Sequence, residues 1–569
     1  MVCVFSARRY ALKKWIKLMV LLMIFTVIAP VNTYAKSNEI HKNVYQNVST
    51  TVNVANNVTG LQYSKKIFSV KQLSPKKYHI IPKKVGVYSI VLKTKQKSYK
   101  YVLNVRRKTV TKSKTVYAGS SANIKLNNVR KIRKLNSNVS VKKVKSNIYK
   151  ITGKKSGDGT VKFVTKQCDY AYNIHVKSKR TMSSESLKLY INKKNLRRII
   201  FTNEVNKKAT HSISENGKHV FAWTKGDTLY VSTNGHGKVI CDDATFLFAS
   251  LKSTEYIDVS YLDTSRCRDF IGMFSDSRKL KEIVGLSKLN TGNATCFDDM
   301  FALCKSLKSL NVSGWRTGRV RSMDSVFDGC ENLETITGLE TWNTKNVRTM
   351  DCMFSYGVSY SSAGKLKNIN LSTWNVSNVT TMDDMFYGQG SLVHLDVSRW
   401  NPRKLESADH MFCRCVSLKE LDVSKWDVSN LKDFNAMFHS CQSLKQIDVS
   451  RWNTRSAIYM CQMFEMCASI TNIDVSGFHT EHVLGYGDMF KDCYNLTELD
   501  LTAFSSKGVP SGKCIQGEYQ YFRCCSGFET MFQNSKNLQH IYVNKNWSIA
   551  GKPAEDIFKG CGTNSFEVR

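Results

Sequence analysis

The chain has 569 residues, 42% of them apolar, which excludes a wholly disordered polymer, and its six prolines exclude a proline-rich fibre. Its formal charge of +39 is unevenly placed: residues 36–180 hold 34 basic and three acidic residues (+31), whereas residues 181–569 hold 45 and 42 (+3). Two regions with different partners are therefore expected on one chain.

Residues 1–35 read as a secretory signal. Arg8, Arg9, Lys13, Lys14 and Lys17 precede an apolar run over residues 18–28, and Thr33-Tyr34-Ala35 offers a small-x-small cleavage site. Pro30 and Asn32 end the run well short of the ~20 residues of a spanning helix. The mature protein is expected to be secreted and held at the cell surface or cell wall, without a covalent anchor.

Residues 36–106 and 107–180 read as two basic β modules, with short β-branched and aromatic runs broken by Lys, Gly, Asn and Ser. Both close alike. Val85-Gly86-Val87-Tyr88 leads to Tyr99-Lys100-Tyr101-Val102-Leu103, and Gly157-Asp158-Gly159-Thr160-Val161 leads to Tyr170-Ala171-Tyr172-Asn173-Ile174. A Gly-led strand, a turn and a last alternating strand resemble bacterial immunoglobulin-like modules, which implies two small β-sandwiches. Their charge favours an anionic cell-wall polymer; nucleic acid is disfavoured, because no helix-turn-helix, zinc-finger or stacking motif accompanies it.

Residues 181–256 are expected to be a linker and a β-rich cap, and residues 257–569 a repeat. LDVSRWNPRKLESADHMFCRCVSLKE, LDVSKWDVSNLKDFNAMFHSCQSLKQ and IDVSRWNTRSAIYMCQMFEMCASITN follow one another without a gap from residue 395, and the phenylalanine of the Met-Phe pair or its substitute recurs from Phe274 to Phe558. A near-fixed period over so many copies means stacked coils sharing one core. Leu-Asp-Val-Ser alternates as a short strand, and Trp374, Trp400, Trp426 and Trp452 sit where they can close the core at a turn. Val379, Met382, Met385 and Phe386 recur at helical spacing, as do Leu431, Phe434, Met437 and Phe438, which predicts a two-turn helix in each coil. These motifs resemble the BspA-like leucine-rich repeat surface proteins over residues 188–569. The resemblance implies exported proteins, often adhesive, that bind host matrix or other cells.

The expected fold is therefore β-rich α+β: two small β-sandwich modules followed by a leucine-rich-repeat solenoid with a parallel strand and a short helix per 26-residue coil. Seven cysteines (Cys304, Cys330, Cys415, Cys441, Cys467, Cys493 and Cys561) share one repeat position and are expected to be buried free thiols acting as small apolar fillers. His410, Cys413 and Cys415 lack a fourth ligand of suitable spacing, so no metal site is expected. Neither a cofactor nor a catalytic residue is expected, since no nucleophile elbow, zinc motif or phosphate loop is present.

Candidate ligand-binding residues are of two kinds. Asp396, Asp422, Asp448 and Asp474 recur at an outward strand position, where they serve as turn formers or as an acidic strip; Arg399, Lys425 and Arg451 lie three residues on, as possible compensating charges. Two insertions break the period, one carrying Tyr356 and Tyr360, the other Tyr519, Tyr521, Phe522 and Arg523, and loops interrupting a regular repeat are frequent binding devices. The expected function is that of a non-enzymatic, adhesin-like surface protein that binds a host-matrix or cell-surface protein or glycan. A wall-acting enzyme or inhibitor is the alternative.

Overall fold

The structure, a computed structural model, describes residues 39–165, 168–192, 194–215, 219–357, 363–511 and 527–569. The signal expected at 1–35 lies outside the described residues. The chain divides between Lys177 and Ser178 into two compact units.

The first unit holds two modules of seven strands. In the first, β1 (Glu39–Tyr45), β2 (Thr50–Asn53), β3 (Val58–Gln62), β4 (Phe68–Ser74), β5 (Lys77–Pro82), β6 (Gly86–Thr94) and β7 (Ser98–Arg106) form one sheet of order β1-β7-β6-β3 and another of order β2-β5-β4. Alternation sets the faces: Tyr101, Leu103 and Val105 of β7 are buried, while Lys100 and Arg106 are exposed. Val52, Ile80, Ile90, Leu92 and Leu103 make a fully buried core. The second module repeats the plan with β8 (Thr109–Tyr117), β9 (Ser121–Lys125), β10 (Val129–Lys134), β11 (Val139–Lys145), β12 (Ile148–Gly153), β13 (Gly157–Thr165) and β14 (Asp169–Lys177). Its sheets run β10-β13-β14-β8 and β11-β12-β9 around a separate core of Ile151, Val161, Phe163 and Ile174.

All three acidic residues of this region are paired. Glu39 meets Lys100 at 2.5 Å, Asp158 meets His175 at 2.7 Å, and the buried Asp169 meets Arg107 at 2.8 Å and Lys162 at 3.0 Å.

The second unit starts with α1 (Ser184–Asn192), the one α-helix among the described residues. Ser183 Oγ accepts the Ser186 N–H at 3.1 Å in its first turn, and Leu187 and Ile191, one helical repeat apart, bury its inner face. A five-stranded sheet follows, in the order Phe221–Lys225, Thr228–Ser232, Arg198–Thr202, Tyr256–Asp258, Glu282–Val284. Its last two strands already belong to successive coils, so cap and coils share one core reaching from Met182 to Ile557.

The expected α+β class is corrected here. The structure is nearly all β, and the described coils contain no α-helix, only the single 3-10 turns Leu286–Lys288 and Leu339–Thr341; a leucine-rich coil of strand plus helix is not what the Met-Phe segment builds. Its N–H groups alternate between two partners. Met382, Asp384, Phe386 and Gly388 donate to Ser407, Asp409, Met411 and Cys413 of the next coil, at 2.8–3.1 Å, whereas Tyr387 and Gln389 close turns on Asp384 and Phe386, three residues back. A helix would send every one of these groups to the residue four back. Left-handed residues recur twice per coil, four apart: Asp384 with Gly388, His410 with Arg414, Ala436 with Ser440. Each such L-residue costs roughly 1–2 kcal/mol and cannot sit inside a right-handed helix. Consecutive turns repeat their inward positions about as often as a helix does, so the apolar spacing alone misled.

Short parallel strands join neighbouring coils, such as Ser309–Asn311 with Thr335–Thr337 and Asn368–Ile369 with His394–Leu395. Two aromatic columns run through the core. Phe386, Phe412, Phe438 and Phe464 stack with centroids 5.5–5.6 Å apart. Trp374, Trp400, Trp426 and Trp452 stack at 6.0–6.4 Å, and Trp400, Trp426 and Trp452 each donate Nε1–H to a carbonyl of the preceding coil at 3.1–3.3 Å. Each aromatic pair adds about 0.5–1.5 kcal/mol beyond its buried area.

Candidate binding surface

The aspartate column is built for turns. Asp396, Asp422, Asp448 and Asp474 are exposed, and Oδ1 of each accepts the N–H of the serine two residues on, at 2.9–3.2 Å. In the first three the serine hydroxyl also donates, at 2.7 Å. Hydrogen bonds from Ser424 and Ser476 hold the Asp422 and Asp474 carboxyls below the usual carboxylate range. Asn311 and Asn370 make the same turn in other coils, so a neutral amide serves as well as a charge. Arg399, Lys425 and Arg451 form no salt bridge among the described residues, and of the compensation expected of them Lys425 supplies a part, its charge helping to lower the Asp422 carboxyl.

The cysteine column does more than fill space. All fourteen described cysteines are free. Cys304, Cys330, Cys415, Cys441, Cys467 and Cys493 each donate Sγ–H to the carbonyl of the preceding coil's phenylalanine, at 3.1–3.3 Å. Ser277, Gln389 and Ser535 occupy the same position in other coils and donate to Phe248, Phe354 and Phe490 at 2.6–2.7 Å. Burial pushes the Cys304, Cys415 and Cys493 thiols up to about 12, which keeps them protonated as donors. Cys561 is half-buried and reaches Leu538 instead, at 3.7 Å. His410 is buried on Asp409, at 2.5 Å, and no group of three or more His, Cys, Asp or Glu among the described residues is placed to hold a metal.

A cleft of about 720 Å³ lies along the coils, lined by the cations Arg268, Arg319, Arg321, Arg348 and Lys404. The fold produces it in two rows. Arg268, Thr295, Arg321, Arg348 and Thr380 occupy one coil position, and their backbones hand on a ladder of N–H···O bonds of 2.7–2.9 Å from coil to coil, which leaves the side chains facing out. Asn293, Arg319, Asn346, Asn378 and Lys404 form the second row, in which Asn293 Oδ1 accepts from Arg319 at 3.3 Å and Asn378 Oδ1 from Lys404 at 2.8 Å. Amide oxygens, not carboxylates, steady these two cations. Among the described residues none of the five cations forms an ion pair, while Arg266, Lys281, Lys305 and Lys432 elsewhere on the coils are paired with acids. Arg321 and Arg348 stand on adjacent coils, ~4.8 Å apart at the backbone, so their like charges repel by about 1 kcal/mol in water. An anion in the cleft relieves that repulsion.

A family model described as "Mycoplasma protein of unknown function, DUF285" matches residues 242–363, 336–446 and 418–513, three overlapping segments that include the whole cleft. Together the matches cover residues 242–513, so these coils are similar to DUF285. No curated protein matches the chain. Among solved structures, an endo-fucoidan hydrolase of glycoside hydrolase family 107 is 9% identical, over 27% of this chain and 31% of that one, with a TM-score of 0.15. A tandem from titin is 10% identical, over 35% of this chain and 88% of that one, with a TM-score of 0.13. The chain thus spans about a third of the length of that hydrolase.

The insertions contribute little to a described surface. Tyr356 is buried, 5% exposed, and its backbone N–H bonds to Tyr387 O at 2.8 Å. Tyr360, Tyr519, Tyr521, Phe522 and Arg523 lie outside the described residues. Sequence reasoning passed over the cleft because the net charge of residues 181–569 is only +3. The usable signal was positional: Arg268, Arg321 and Arg348 hold one place in the repeat, which shows only when coils are aligned.

Proposed function

We propose that this chain is an exported, adhesin-like surface protein that binds rather than catalyses. In this reading the DUF285-like coils engage an anionic ligand on a host matrix or neighbouring cell, and the lysine-rich strands of residues 39–177 hold the protein on an anionic polymer of the producing cell. The observation that carries it is the cleft: five cations brought together by the fold, none of them paired with an acid among the described residues. Charges needed only for solubility are not gathered at the expense of mutual repulsion. The acid-depleted first unit supports the tether, because its lysines are hydrated point charges suited to a diffuse polyanion.

The test uses the full chain, applied to matrix-coated surfaces and to intact producer cells. Arg321→Gln with Arg348→Gln is expected to abolish most binding to the matrix while leaving retention on producer cells unchanged. Salt well above physiological strength is expected to release the protein from producer cells, since such attraction is screened over ~8 Å already at 0.15 M. Unchanged matrix binding by the double variant would overturn the reading.

A further inference from the structure

We infer that the ligand of the cleft is an acidic glycan chain lying along the axis of the coils, its sulfate or carboxylate groups on the guanidinium row and its hydroxyls on the amide and threonine side chains. This deepens the function proposed above and rests on it. Three observations select the class.

The first is shape. The cations span six successive coils, joined by the bridges Asp269 to Cys296, Cys296 to Ser322, Ser322 to Thr349, Thr349 to Thr381 and Thr381 to Ser407. Five steps of ~4.8 Å give a track of roughly 24 Å, which suits a linear polymer better than a compact ion. The coil rise is close to the repeat of a pyranose ring in an extended chain, so successive sugars meet successive coils.

The second is composition. Cations are interleaved with neutral polar groups: Thr295 separates Arg268 from the adjacent pair Arg321 and Arg348, and Thr380 ends the row. Beyond it the same position is Glu406, which pairs with Lys432 at 2.8 Å and closes the row to anions. Spaced charge interleaved with hydroxyl and amide groups matches a polymer whose acid groups are separated by hydroxyl-bearing carbons. Guanidinium forks bind sulfate and carboxylate through paired hydrogen bonds.

The third is what lines the cleft and what does not. Its lining includes no aromatic ring on which a nucleic-acid base could stack and no apolar side chain that would seat a peptide anchor. A nucleic acid or an acidic peptide would be held there by charge alone.

The probes are a heparin-derived oligosaccharide for sulfate, an oligogalacturonate for carboxylate, and polyglutamate as an acidic peptide of matched charge. Full-length protein is treated with an arginine-selective reagent with and without each probe, and modification is read peptide by peptide. This separates the cleft from the lysine-rich first unit, which also attracts polyanions. At least one glycan is expected to protect Arg321 and Arg348 several-fold, and polyglutamate is expected to leave them reactive. Arg321→Gln with Arg348→Gln should weaken binding of that glycan by about tenfold or more, as befits the loss of charge-assisted bonds. Arg399→Gln with Arg451→Gln, an equal change of charge on the aspartate-turn face, should weaken it less than twofold. Equal protection by polyglutamate, or protection by neither glycan, overturns the inference. If matrix binding is still lost in the cleft variant, the surface-binding function stands and only the glycan class fails; if it is retained, both fail.

Discussion

Replacing Cys441 separates two accounts of the cysteine column. Cys441 is fully buried and donates to the Phe412 carbonyl at 3.3 Å. Alanine removes that bond, a net loss of about 0.5–1.5 kcal/mol. It also leaves a void the size of one sulfur, which adds ~1 kcal/mol by analogy with single-methylene deletions. The Phe412 carbonyl still accepts the Cys415 N–H at 3.1 Å and is not orphaned, so the total stays near ~2 kcal/mol. Serine keeps a donor, and Ser277 and Ser535 show that a hydroxyl reaches the same acceptor position at 2.7 Å. Cys441→Ser is therefore expected to cost about 1 kcal/mol or less. Were the thiol only an apolar filler, serine would bury an unsatisfied hydroxyl at roughly 1–3 kcal/mol and be the worse substitution. Urea unfolding of the full chain, followed by tryptophan fluorescence, reads the right unit, because every tryptophan except Trp15 lies beyond residue 177. A serine variant less stable than the alanine variant would refute the donor role.

Phe412 stacks on Phe386 and Phe438 at 5.5 and 5.6 Å, so Phe412→Ala is expected to cost about 4 kcal/mol or more in the same assay, from cavity formation and two lost ring pairs; a loss under ~2 kcal/mol would show that the column does not carry the core. Burial pushes Asp299 and Asp433 up to about 7 and Asp328 to about 6, so the folded state holds these protons more tightly than the unfolded chain. Their contribution is complete below the unfolded carboxylate pKa of ~4 and is lost as pH rises towards 7. His439, which burial lowers to about 4, works the other way between pH 4 and ~6.5, but one group does not offset three. Thermal melts between pH 5 and 8 should fall with pH, and Asp433→Asn, which keeps an acceptor for the Asn435 N–H, should flatten the fall and melt higher at pH 8; an unchanged slope would sink the argument.

Much of the coil architecture follows from sequence because identical positions must meet. The phenylalanine and tryptophan columns, the aspartate turn and the inward cysteine all recur at one period, and each occupies one environment. What escaped was conformation and cross-coil geometry. Met382, Met385 and Phe386 have the same apolar spacing in a helix and in a run of turns; the difference lies in Asp384 and Gly388 adopting left-handed backbone, which side-chain pattern does not encode. The donor role of cysteine was hidden for a related reason: a thiol reads as apolar until Ser277 and Ser535 are seen bonding to the equivalent carbonyls of other coils. The cleft was hidden by averaging, since Glu406 and the aspartate turns cancel the arginines in any net charge.

The 32-residue step from Phe354 to Phe386 leaves their rings stacked at 5.5 Å and 5°, the same separation as in steps of 26, and Trp342 still meets Trp374 at 6.0 Å. The longer step shifts neither aromatic column. Length and alignment are thus uncoupled, and a gene of this kind can change in two separate ways. Exchange between coding segments of equal length and similar pattern adds or removes whole coils, which alters reach while every column stays in line. Small insertions between one phenylalanine and the next strand change a coil's length and leave the interior unaltered. Variation among such genes is then expected to fall into these two classes, with frame-preserving changes elsewhere in a coil eliminated because they would break both aromatic columns at once.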